Sequence, residues 1–148
     1  MSRAYSIAPT HEVVAVTIAD KLFRSGDYEK AGVIAGFVIK NGKNSRAEAY
    51  GIKGLVEQIG SKYDDALKSF EGARKEGGGG MGVMYGLGQM YTLKGDYTKA
   101  VEAYKHILEK EPDNYESLKR LAIVYSLMDD GKENAIGSFD KLRGLLRV

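Results

Sequence analysis

The sequence predicts an all-α fold: about eight helices, joined as about four antiparallel helical pairs in one stacked array. Three observations carry this. Apolar residues recur at spacings of 3 and 4, which gathers them on one face of a helix. Residue classes repeat every 34 positions, as in Gly54, Gly88 and Ala122, the mark of stacked supersecondary units. A cluster of Gly, Asp and Ser divides each unit in two, as turn residues do. The chain has 148 residues, 43% of them hydrophobic, which suffices for one domain with a core.

Each element follows from these columns. Ala15, Ile18, Ala19 and Leu22 line a first helix that ends at Ser25-Gly26-Asp27, and Tyr28, Ala31, Ala35 and Val38 line a second. The next pair holds Tyr50 and Gly54 before the turn Gly60-Ser61-Lys62, then Tyr63, Ala66, Phe70 and Ala73. A third repeats the scheme with Met84, Gly88, the turn Lys94-Gly95-Asp96, Tyr97, Ala100, Tyr104 and Ile107. The last has Leu118 and Ala122, a longer turn at Asp129-Asp130-Gly131, then Ala135, Phe139 and Leu142. The units run over 12–46, 47–80, 81–114 and 115–148 behind a lead-in of 1–11.

Glycine at the turns is expected to take the left-handed conformation that ends a helix, with Asp or Ser capping the next one. Ser45-Arg46-Ala47-Glu48 and Asp113-Asn114-Tyr115-Glu116 have capping-box spacing, and Pro112 stops the helix before it. The 19 glycines are nearly twice the usual ~7%. Those inside helices need a packing reason, and small residues facing each other supply one: Gly54 with Ala66, and Gly88 with Ala100. Gly77–Gly80 falls at a joint between units and reads as a hinge.

Little chemistry is on offer. With no cysteine, and with His11 and His106 as the sole imidazoles, thiol catalysis and histidine-rich metal sites are set aside. No cofactor and no metal are expected. A net charge of +2 argues against tight nucleic-acid binding, and no apolar run suits a membrane span. The start, residues 1–10, has no hydrophobic signal core. The stretch from Gly36 to Lys43 invites a phosphate-loop reading, but it has five residues between its glycines, Asn44 after the lysine, and a helix before it. A helix end with its loop fits better. Asp64-Asp65 and Asp129-Asp130 sit at helix starts, where the dipole favours them.

These columns resemble the tetratricopeptide repeat. In the unit from Met81, the repeat's bulky positions hold Met84, Leu87, Tyr91, Tyr97 and Tyr104. Gly88 and Ala100 take its small positions, and Pro112 its proline. Ile107 stands where a small residue is usual. Lys53 and Glu57 depart in the second unit, whose first helix should pack less well. The resemblance implies a right-handed superhelix with the first helix of each pair lining the concave face. That face would carry Val13, Val16, Asp20 and Phe23, then Glu48, Gly51, Leu55 and Gln58. Gly82, Tyr85, Gln89 and Thr92 follow, then Glu116, Lys119, Ile123 and Ser126. The lining is mixed, with little net charge, so partner affinity should depend only modestly on salt. Val16 and Asp20 stand where co-chaperone members clamp a carboxylate with Lys and Asn, which disfavours a chaperone-tail ligand.

One tetratricopeptide family is closer: the large scaffold subunits of the RNA polymerase II-associated factor elongation complex. The run Tyr85-Gly86-Leu87-Gly88-Gln89-Met90-Tyr91, then Gly95-Asp96, and Pro112-Asp113-Asn114-Tyr115-Glu116-Ser117-Leu118-Lys119 carry this resemblance. It implies a nuclear, non-catalytic scaffold that gathers elongation-complex subunits on the polymerase and supports co-transcriptional histone modification. The alternative is a general peptide-binding module, cytoplasmic, of co-chaperone, bacterial envelope-assembly or enzyme-regulatory type. The last helix should leave some of Phe139, Leu142, Leu145 and Leu146 uncovered, an apolar end that promotes self-association.

Overall fold

A computed structural model describes residues 8–78 and 80–147. Among them are eight helices and no strand: α1 (Pro9–Arg24), α2 (Tyr28–Asn41), α3 (Arg46–Ile59), α4 (Tyr63–Lys75), α5 (Met81–Leu93), α6 (Tyr97–Lys110), α7 (Tyr115–Leu127) and α8 (Lys132–Leu146). The all-α expectation is met. Residues 1–7 of the expected lead-in and Gly79 of the glycine tract lie outside the described residues. The helices fall into two compact units, 1–83 and 84–148.

In the first unit α1 begins at Pro9, inside the expected lead-in, because a proline has the helical φ already set and no N–H to leave unpaired at the first position. Ala19, Ala31, Ala35, Val38, Ala49 and Ile52 form a buried cluster joining α1, α2 and α3. Four alanines among the six let the helices come close, and Phe23, Ile34 and Val56 fill the margins. In the α3–α4 pair a Cβ on Gly54 would lie 2.8 Å from the ring of Phe70. The glycine is a seat for an aromatic ring. Ala66, the residue that spacing pairs with Gly54, is fully buried one turn before Phe70 in α4.

The second unit repeats this seat. A Cβ on Gly88 would lie 2.6 Å from the ring of Tyr104, so the ring of Tyr104 occupies the space that Gly88 leaves. Leu118, Ala122 and Leu142 join α7 to α8, with Leu108 and Leu145 against them. Of the four apolar residues expected at the end of α8, Leu142 turns inward and Leu145 halfway, while Phe139 and Leu146 stay 48% and 68% exposed.

The departures at Lys53 and Glu57 find polar partners within the α3–α4 pair. Lys53 Nζ lies 4.0 Å from Glu57 Oε2, and the hydroxyl of buried Ser69 donates to Glu57 across the pair.

Helix ends correct the turn reading in detail. Gly26, Gly77 and Gly95 have φ of 90°, 87° and 79°, and the next residues, Asp27, Gly78 and Asp96, donate N–H groups to Leu22, Ala73 and Tyr91. This is the Schellman closure. After α3 the same closure uses Ser61, with φ 60°, and Lys62 donates to Glu57; Gly60 stays at φ −77°. Gly131 also keeps a negative φ, −90°, and is glycine because a Cβ would collide with the carbonyl oxygen of Tyr125. A left-handed serine is strained by roughly 1 kcal/mol. Ser61→Gly is therefore expected to raise stability by about 0.5–1 kcal/mol in urea melts, with an unchanged m-value.

Caps differ too. Asp27 and Asp96 accept from the N–H of Lys30 and Lys99 at 3.3 and 3.4 Å. Asn114, and not Asp113, caps α7 through Ser117 N–H at 2.9 Å. Ser45 makes no side-chain cap; its N–H is engaged by a residue of α1.

Candidate functional site

In the first unit a cleft of about 560 Å³ opens between α1, α3 and the start of α5. Six of the residues projected onto the binding face line it: Val16 and Asp20 from α1, Glu48, Gly51 and Leu55 from α3, and Gly82 from α5. Helical spacing brings them there, since residues three and four apart share a face. Thr17 and Ile52, each next to a projected residue, join them, as do Ala47, Val83 and Phe70 of the ring seat. So do Gly78 and Gly80. Gly78 and Gly80 thus form part of a wall of the cleft. Gly78 is held against α3, where a Cβ would sit 2.7 Å from that of Ala47, whereas nothing approaches a Cβ at Gly80 or Gly82.

Among the described residues that line the cleft, Asp20 and Glu48 are the ionisable ones. Asp20 Oδ2 lies 2.9 Å from Arg24 Nε, one turn along α1. Glu48 stands exposed in the first turn of α3, where the helix dipole favours its charge.

Glu12 fixes α3 against α1. Its side chain is fully buried, and Oε1 accepts from the N–H of Lys43 at 2.6 Å, Asn44 at 3.0 Å and Ser45 at 3.2 Å. The loop at residues 43–45 thus holds an anion belonging to the chain itself. Burial pushes the carboxyl up, but the three N–H groups, in the order Ser45, Asn44, Lys43, and then the Lys43 charge outweigh it. The net result is a carboxyl below the usual range. Gly42 is required beside it, since a Cβ there would collide with Oε1. On the other side of the α2–α3 joint, Arg46 donates to the Ile39 carbonyl, pairs with Glu76 at 3.1 Å and lies over the ring of Tyr50 at 5.8 Å. No short motif announces Glu12; an acidic residue in a first turn reads as dipole compensation alone.

The other projected residues do not join the cleft. Phe23 packs on the alanine cluster with its ring 5.3 Å from that of Tyr28. Gln58 is half-buried near the end of α3, and Val13 is exposed. In the second unit Tyr85 meets Tyr104 edge-on at 6.0 Å and accepts a hydrogen bond from Arg120 Nε at 3.1 Å. Burial pushes the Tyr104 phenol up to about 12, over the pull of Arg120. Thr92 donates to the Gly88 carbonyl at 2.7 Å, and Gln89 is half-buried. Lys119 and Ile123 are exposed on α7, with Glu116 and Ser126. His11 is exposed, and His106 Nδ1 lies 3.9 Å from Glu109. Among the described residues no helix is long and apolar enough to cross a membrane.

Residues 82–114 match the family described as Tetratricopeptide repeat. Three solved structures share the fold. "Crystal structure of YrrB: a TPR protein with an unusual peptide-binding site" has a TM-score of 0.82 at 18% identity, over 88% of this chain and 66% of that one. A MamA fragment from Desulfovibrio magneticus RS-1 gives 0.76 at 24% identity, over 92% and 76%, and another MamA structure gives 0.75 at 21%, over 93% and 74%. The fold is that of the tetratricopeptide repeat. Tetratricopeptide pairs place bulky and small residues in fixed alternation, which is the arrangement of Gly54 with Phe70 and Gly88 with Tyr104. A curated relative, the RNA polymerase-associated protein CTR9 of Caenorhabditis elegans, is 25% identical over 127 residues, 84% of this chain. The chain spans 11% of that relative's length.

Proposed function

We propose that this chain is a non-catalytic tetratricopeptide module that holds a peptide segment of a partner protein, and that it does so within a transcription elongation scaffold in the nucleus. The observation that carries the first part is the cleft. Six first-helix positions from three successive repeats converge on one open, mostly apolar groove, the form in which helical repeats take extended or helical peptides. The second part draws on the similarity to the CTR9 protein, together with the run from Tyr85 to Tyr91. Partners on this reading are other subunits of an elongation complex. A general peptide-binding module in the cytoplasm is the second reading, favoured by the peptide-binding site named for the YrrB structure. Asp20 in the groove disfavours a partner held by its C-terminal carboxylate, as chaperone tails are.

Affinity capture from nuclear extract separates these readings. The wild-type chain is expected to retain subunits of the elongation machinery, and Gly82→Trp, which fills the cleft from an open position, to lose them. Retention of heat-shock chaperones alone, or equal capture by both chains, would contradict the proposal. Tyr85 and Gln89 are poorer probes, because Tyr85 already braces Tyr104 and Arg120.

A further inference from the structure

We infer that the cleft of the first unit selects a peptide presenting lysine or arginine beside apolar side chains; this rests on the peptide-holding reading above. The floor is apolar, built from Val16, Ile52, Leu55 and Phe70, and among the described lining residues the charges are the carboxylates of Asp20 and Glu48. An apolar peptide would cover these carboxylates without pairing them, and the desolvation is unfavourable. An acidic peptide would be repelled outright. A basic side chain would pair Glu48 and add a second donor to Asp20, and complementary charge of this kind sets specificity and orientation at an interface. Arg24 does not satisfy Asp20 in advance. It is a neighbour on the same helix with its side chain 77% exposed, an arrangement that contributes little, and a carboxylate has lone pairs for several donors. Gly80 and Gly82 leave the rim open, with nothing within 4 Å of where a Cβ would be, so a long lysine or arginine stem can pass along it.

The test uses an array of fluorescent decapeptides with leucines fixed in several registers and the remaining positions either lysine or glutamate, read by anisotropy against the whole chain. Lysine peptides are expected to bind about fivefold or more tightly than their glutamate twins, two rim pairs' worth. The gap should shrink in molar salt, where screening shortens to about 3 Å. The double variant Asp20→Asn, Glu48→Gln should close the gap, while circular dichroism shows it folded. If lysine and glutamate twins bind equally, and Gly82→Trp abolishes both, the charge inference is overturned while the groove reading stands. If no peptide of the array binds, or Gly82→Trp changes nothing, the groove reading falls and this inference with it.

Discussion

Gly88→Leu is expected to lower stability by about 3 kcal/mol or more, the upper range for overpacking a core. A first side-chain carbon at Gly88 would already lie 2.6–2.9 Å from three atoms of the Tyr104 ring, inside van der Waals contact. The ring cannot retreat, because Tyr104 is 1% exposed and Tyr85 stands edge-on against it. Gly88→Ala should therefore destabilise as well, against the helix propensity that favours alanine by about 1 kcal/mol. Gly137 is the control. It sits exposed in α8 with nothing within 4 Å of a Cβ, so Gly137→Ala should gain about that amount. Urea melts of the three variants read the contrast, and a neutral Gly88→Ala would show that the ring seat is wrongly placed.

Glu12→Ala is expected to give the second large effect, a fall of several degrees in Tm that exceeds the loss from Asp20→Ala or any other exposed ion-pair deletion. The substitution leaves the N–H groups of Lys43, Asn44 and Ser45 without their acceptor in a partly buried loop, and orphaned donors cost more than a surface ion pair contributes. Glu12→Gln should fall in between, since its amide oxygen still accepts but carries no charge. The pH dependence has a definite sign. The folded carboxyl titrates below its ordinary value, so its stabilisation is complete above the unfolded value of about 4.3 and is lost as pH falls through the folded one. Wild type and Glu12→Gln should therefore converge in Tm on acidification, and a constant gap down to strong acid would remove the carboxylate from the account.

The period and the residue classes made the repeat legible, because both are consequences of packing one helix pair on the next. Element order could be read from spacing, whereas the face holding Val16, Asp20, Gly51 and Leu55 came from the resemblance to the tetratricopeptide repeat. The contacts of the ring seats could not. Alanine and glycine look interchangeable as small residues, and which of them faces a ring depends on how far Phe70 and Tyr104 reach across the pair. The turn at Ser61 escaped because a glycine stood beside it, and propensity favours the glycine. Glu12 left no trace for a different reason: three backbone donors hold it, and backbone donors have no sequence signature. Composition marks the glycine tract as a joint, but only the structure shows Gly78 against Ala47 and, with Gly80, lining the cleft.

Whether partner peptides lie in the cleft of the first unit is read by amide chemical-shift mapping of the labelled chain, titrated with the tightest array peptide. The largest shifts are expected at Val16, Asp20, Gly51, Leu55 and Gly82, with α2 and the outer residues of α4 unmoved. Saturable shifts concentrated on α2 and α4, with the cleft silent, would contradict that location.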